Sequence, residues 1–219
     1  MNLDFSQIVP SIPFILKGIW VTLQIVSVSL IFGFILGTIL SIFKIGKLAI
    51  LRWFADAYTS IFRGTPLILQ LFLIYFATPQ LTGIDISAYA AAVLTFGLNS
   101  AAYVSEIIRA GIQAVDKGQR EAAEALGVPY RPMLINIILP QAIKNILPAL
   151  VNEFITLTKE SAIISTIGVL DIMRRAQIVS AERYIAFEPL MFAAILYYIM
   201  VMALTLLGRL LERRMRRSD

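Results

Sequence analysis

The chain has 219 residues, 58% of them hydrophobic, with a mean hydropathy of +0.80. Soluble domains are about 45–50% apolar, and the surplus here lies in runs long enough to cross a hydrocarbon core, roughly 20 helical residues each, which excludes a soluble globular protein. The absence of cysteine and histidine excludes disulfides, Cys/His metal sites, thiol chemistry and imidazole catalysis.

The start, "MNLDFSQIVPSIPFILKGIW", has no basic leading region and carries Asp4, so the first span is expected to be retained rather than cleaved. That span covers about residues 14–43. Within it Ser29, Gly33, Gly37 and Ser41 recur every fourth residue, a stripe that lets another helix approach closely. The second span is expected at 51–77. "RGTP" interrupts it, and Pro66 removes a backbone donor, so the helix should kink or restart there. Arg63 either orders that kink, reaches back to the inner surface, or meets a substrate carboxylate.

A third span is expected at 86–115, a fourth at 133–159 and a fifth at 189–211. Between the last two lies "SAIISTIGVLDIMRRAQIVSAER", too polar to cross. Residues 160–185 therefore read as an outer interfacial segment, lying on the membrane surface or dipping partly into it. Five spans put the termini on opposite sides. The side holding the terminal run "GRLLERRMRRSD" gathers twelve basic residues against five, which places the C-terminus in the cytoplasm and the N-terminus outside. This bias also accounts for the net charge of +5 more simply than nucleic-acid binding does. The fold class is all-α, a polytopic membrane protein with one domain over residues 1–219.

The third and fourth spans are separated by "EAAEALGVPYRPMLINIILP", on the cytoplasmic side. Glu121, Ala122, Ala123, Glu124, Ala125 and Leu126 are strong helix formers. Asp116 is a plausible cap and Gly127 suits the stop. A helix of about two turns is marginal in water alone, so it needs something to pack on. Ala122, Ala125 and Leu126 form a narrow apolar face for a close partner. A short surface helix capping its own bundle is the plainer alternative.

Glu121-Ala122-Ala123, Gly127, Ile137 and Leu139-Pro140 resemble, at every position and spacing, the cytoplasmic signature of permease subunits of binding-protein-dependent ABC importers. "FRGTPLILQLFLIYF" and "AAYVSEIIRAGIQAVDKGQREAAEALG" are similar to the polar amino acid branch of that family, and the resemblance covers essentially the whole chain. It implies the type I importer permease fold in a bacterial inner membrane. It also implies a coupling helix, within residues 117–130, docked on an ATP-hydrolysing partner through Glu121, Ala122, Ala123 and Gly127. Further implied partners are a second permease subunit, identical or closely related, and an external substrate-binding protein. The chain contains no G-x-x-x-x-G-K-[ST] phosphate loop, so ATP and its Mg²⁺ belong to two separate ATP-binding subunits. No catalytic residue and no metal site are expected in this chain.

Intramembrane polar residues are candidates for substrate contact. Thr95, Asn99, Tyr103 and Glu106 fall within about 80° of helical arc, with Glu106 about 10 Å beyond Asn99 toward the cytoplasm. In the fourth span Glu153, Thr156 and Glu160 share a face. Pro148, five residues before Glu153, cannot donate to the Lys144 carbonyl and is expected to break the helix near the middle of the span. A carboxylate at that depth is neutral, paired or awaiting a cation. Two carboxylates and an amide suit arginine, lysine or histidine. The expected substrate contacts are Glu153, Asn99, Tyr103, Glu160 and Glu106. Structural pairs, Glu153 with Lys159 or Lys144 and Glu106 with Arg109, are the alternative. An ion-coupled secondary transporter fits the carboxylates but not the docking helix. An intramembrane enzyme would need a Ser/Lys site or paired aspartates, and Asp56 is the only aspartate expected inside a span. A permease for a neutral or acidic amino acid stays open.

Overall fold

Ile12–Ile45 forms one unbroken helix, α1, with Pro13 in its first turn, where a missing N–H costs nothing. A 3₁₀ turn, Phe5–Ser11, precedes it and is capped by Asp4. The structure is a computed structural model and describes residues 4–216. The second long helix is α5, Ala88–Gln113, capped by Ser87. Its partner is the small-residue stripe: Ser29, Gly33, Gly37 and Ser41 are all buried. A methyl group on Gly33 would lie 2.8 Å from Ser100 Cβ, and one on Gly37 2.8 Å from the Ala101 carbonyl. In return Gly97 receives the Phe32 ring, whose Cδ1 would be 2.1 Å from an added Cβ. The two helices therefore touch backbone to side chain along four turns, and van der Waals contact of this kind is what holds helices together in lipid.

The second span restarts at Pro66, as expected, though with a sharp bend. It is two helices, α2 (Ala49–Gly64) and, after a 103° bend, a segment running Leu67–Thr82. The segment comprises α3 (Leu67–Phe72), a π-turn (Leu73–Ala77) and α4 (Thr78–Thr82). Pro66 forces the restart, as its residue type requires, but Arg63 does not order the bend. Gln70 does: its Nε2 donates to the Phe62 carbonyl at 2.8 Å, with the Thr65 carbonyl at 3.1 Å and Thr65 Oγ1 at 2.8 Å also within reach. These groups would otherwise be orphaned in hydrocarbon at considerable cost.

After α5 come α6 (Lys117–Ala125), α7 (Tyr130–Met133), a second π-turn (Leu134–Ile138) and α8 (Leu139–Glu160). The fourth span is not broken at Pro148, through which α8 continues. Its irregularity sits just before Pro140 instead. Both π-turns end two residues before a proline, Pro79 or Pro140, and the wider i→i+5 turn absorbs the donor that the ring removes. A 3₁₀ segment, Ser161–Ile167, leads to α9 (Ile172–Arg183) and then α10 (Phe187–Arg216). Among the described residues four helical stretches are long and apolar enough to cross a membrane, Phe5–Ile45, Ala88–Gln113, Tyr130–Ile167 and Phe187–Arg214, and the bent pair makes a fifth if its two halves count as one broken span.

The segment after α8 is pinned to the bundle. α9 packs against α1 and α10 through Ile15, Ile172, Ala176, Val179, Ala193 and Leu196. Gly18 permits this, since a Cβ there would lie 2.5 Å from the Ile172 nitrogen. The Arg175 guanidinium donates to the Leu170 and Phe14 carbonyls and sits over the Phe14 ring. Asp171 caps α9 by accepting from the Arg174 N–H at 2.8 Å, and takes the Tyr197 hydroxyl at 2.9 Å. It is fully buried, and burial pushes its carboxyl up to about 6.

Candidate translocation site and coupling surface

Where α1, α2 and α5 converge, charge is concentrated. Glu106 on α5 accepts from Lys44, at the last turn of α1, and from the guanidinium of Arg109, whose Nη2 lies at 2.6 Å. Lys44 Nζ also donates to Thr59 Oγ1 at 2.7 Å and lies 3.4 Å from Asp56, both on α2. The Lys44 side chain is only 4% exposed. A cation so buried is tolerable only because three oxygens surround it. Glu106 is thus the centre of a structural ion cluster that includes the Arg109 pair foreseen one turn away. The spacing of Lys44 in sequence from Glu106 and Asp56 carries no signal of this pairing.

Asn99 is buried. Its Nδ2 donates to the Phe62 carbonyl and to Gln70 Oε1, each at 3.1 Å. Both amide hydrogens are therefore committed to the bend between α2 and α3, and what Asn99 retains for a ligand is its carbonyl oxygen. Tyr103 is 37% exposed, with the Arg63 guanidinium 5.3 Å from its ring centroid. The two residues, with Glu106, Gly111, Asn145 and Ala149, line an open recess of about 420 Å³ between α5 and α8.

Glu153 points from α8 toward α5. It is 8% exposed and makes no salt bridge among the described residues. The Ser100 hydroxyl lies near it but meets the geometry of no hydrogen bond. Glu160, half-buried two turns on, adds a second negative charge nearby, with Lys159 beside it. The five candidate contacts are therefore not one pocket. Tyr103 and Glu106 share the recess, Glu153 lies one turn beyond its rim at Ala149, and Asn99 serves the bend.

The cytoplasmic motif folds as its residues direct. Asp116 caps α6, with Oδ1 accepting from the Gly118 N–H at 2.7 Å. At the other end Val128 N–H donates to the Ala123 carbonyl and Gly127 N–H to that of Glu124, with Gly127 at φ +70°. This pair of bonds is a Schellman stop, which favours glycine at that position. Ala123 turns inward and is 2% exposed, seated on Val115, Met133 and Ile138. Glu121, Ala122, Ala125 and Gly127 face outward, as does Leu126, 82% exposed. Residue propensity located the helix but did not tell which alanine seats it and which remain open.

Spanning helices around a polar intramembrane site, with a short capped helix presented at one end, define a membrane transport component. Residues 29–217 match the family of binding-protein-dependent transport system inner membrane components, and the chain belongs to that family. It is 58% identical over 219 residues, all of both chains, to the arginine transport system permease protein ArtQ of Bacillus subtilis (strain 168). It is 55% identical to the putative glutamine transport system permease protein GlnP of Rickettsia conorii (strain ATCC VR-613 / Malish 7), over 94% of each chain. The fold superposes with a TM-score of 0.95, at 43% identity, on a chain from the crystal structure of an amino acid ABC transporter with histidines, covering 98% of this chain and 100% of that one.

Proposed function

We propose that this chain is the permease subunit of an ATP-driven importer that carries basic amino acids inward. Two copies, or this chain and a close relative, form the pathway. Two ATP-binding subunits, holding ATP and Mg²⁺, dock on the outward-facing residues of α6, among them Glu121 and Ala122, and on Gly127 at its stop. Ala123 contributes by fixing the helix on its own bundle. An external binding protein delivers the substrate. The N-terminus lies outside and the C-terminus in the cytoplasm.

The observation that carries the substrate class is Glu153. A carboxyl group buried between two spanning helices, with no salt bridge among the described residues, is suited to a passing guanidinium or ammonium. The likeness to an arginine permease agrees with that choice. The likeness to a putative glutamine permease favours a second reading, a neutral amide side chain, for which Glu153 would accept a hydrogen bond rather than pair a charge.

The test is uptake in proteoliposomes containing the permease, the ATP-binding subunits and the binding protein. Substrate-loaded binding protein should stimulate hydrolysis, and Glu153→Gln should slow arginine uptake by roughly tenfold or more, the value of one charged hydrogen bond, while the complex still assembles. Hydrolysis that ignores the loaded binding protein would overturn the importer reading. Glutamine uptake that survives in Glu153→Gln alongside unchanged arginine uptake would remove Glu153 from the pathway.

A further inference from the structure

The ion cluster around Glu106 is not balanced. Three cations, Lys44, Arg63 and Arg109, meet two carboxylates, Glu106 and Asp56. Lys44 and Arg109 are held by direct hydrogen bonds. Arg63 is not: its Nη1 comes no nearer than 3.9 Å to Glu106 Oε2, beyond hydrogen-bond reach. It donates no hydrogen bond among the described residues. Its side chain is 45% exposed and opens on the 420 Å³ recess. The excess positive charge of the cluster is therefore this guanidinium, facing the cavity.

A guanidinium presents a planar fork of N–H groups that matches a carboxylate, and the Tyr103 ring, its centroid 5.3 Å from Arg63 Cζ, makes a cation–π contact with this one. Asn145 also lines the recess. Its Nδ2 lies 3.4 Å from the Gly111 carbonyl, at the long limit of a hydrogen bond, so that amide is only weakly engaged.

We infer that Arg63 is the station in the membrane for the α-carboxylate of the transported amino acid. The inference rests on the amino acid permease reading and extends it. Its placement relative to Glu153 is what gives it force. Ser100, the neighbour of Glu153, stands three residues before Tyr103 and six before Glu106 on α5. At 1.5 Å per residue the two poles are separated by about 5–9 Å along the helix. Asn145, Ala149 and Glu153 recur every fourth residue on α8 and so share the face that runs between them. A basic amino acid carries its carboxylate and its side-chain cation at opposite ends. It would travel carboxylate first, with Arg63 drawing the head and Glu153 holding the tail. A cationic side chain would not enter head first, because the cluster around Glu106 already carries excess positive charge.

The experiment measures equilibrium binding to the purified complex of permease and ATP-binding subunits, without the binding protein, so that only the membrane site is read. The probes are L-arginine, L-histidine and L-glutamine, each paired with its carboxamide, in which the α-carboxylate is neutralised. The unmodified complex should prefer at least one free acid over its amide by roughly tenfold or more, and Arg63→Gln should abolish that preference by weakening the acid and leaving the amide within about twofold. Arg63→Lys keeps the charge but loses the fork, so it should retain part of the preference. If Arg63→Gln does not assemble, the lysine variant carries the test, and an undiminished preference there overturns the assignment. A preference that survives in Arg63→Gln overturns it, and so does the absence of saturable binding of all three probes to the unmodified complex. Uptake by the unmodified complex is scored separately: intact uptake with an unchanged preference defeats Arg63 alone, whereas no uptake of any amino acid defeats the permease reading beneath it.

Discussion

Replacing Lys44 with methionine isolates the buried ion cluster. The side chain keeps its length but loses the donors to Thr59, Asp56 and Glu106. Removing one partner of a buried pair costs about 3–5 kcal/mol, because the other charge is left stranded. Here the lower end applies. Glu106 keeps the Arg109 guanidinium and is 21% exposed, and Asp56 is 59% exposed. The expected loss is about 3 kcal/mol, a drop of roughly 6–12 °C in the unfolding midpoint for a chain of this size. Glu106→Gln should cost about as much, since it strands Lys44. The double variant places two uncharged groups face to face. It should recover about 2 kcal/mol relative to the sum of the single losses, which is the coupling energy of a contacting pair. The assay is thermal unfolding of the purified permease in detergent at constant lipid content, followed by near-ultraviolet circular dichroism. Losses that add without coupling would refute the pairing and with it the argument that Lys44 is buried because of these oxygens.

The stop of α6 gives a second expectation. Gly127→Val forces a β-branched residue to φ +70°, at a cost of roughly 1–2 kcal/mol, so transport should fall while membrane insertion is unchanged. Gly127→Asn, which tolerates that backbone region, should keep most of it; equal loss in both variants would show that the backbone geometry is not the cause. A third concerns Asp171. Its folded carboxyl titrates near 6 against 3.8 in the unfolded chain, so its contribution to stability is complete below pH 4 and disappears as the pH rises through 6. The difference amounts to about 3 kcal/mol. Asp171→Asn should remove this slope from the stability profile between pH 4 and 7, and a profile parallel to that of the unmodified protein would contradict the burial argument.

What was legible in the sequence was local. The stripe of Ser29, Gly33, Gly37 and Ser41 announced a close helix partner because small residues act wherever they are placed. Asp116 and Gly127 bracketed α6 because capping chemistry spans only a few residues. The bend at Pro66 was readable for the same reason, but the group that completes it was not. Gln70 and Asn99 satisfy the exposed Phe62 carbonyl from 8 and 37 residues away, and only the folded chain brings them there. The same limit applies to Glu106. Helical periodicity gives its neighbours on α5, yet its partner Lys44 comes from another span, 62 residues earlier. Pro148 shows the converse error. Its residue type predicts a break, but the irregularity went to the π-turn before Pro140, where the chain has room for a wider turn.

The seating of α6 has a mechanical consequence. Only residues 114–116 separate it from α5, and Ala123 rests on Met133 and Ile138, which open the segment continuing into α8. The three elements form a wishbone joined at Ala123 and by the hydrogen bond that Gln141 Nε2 donates to Gln119 Oε1. A load applied to α6 would pass to both prongs, because the connections on its two sides are only three and four residues long. Because Glu106 rides on one prong and Glu153 on the other, their separation becomes the natural gauge of that load.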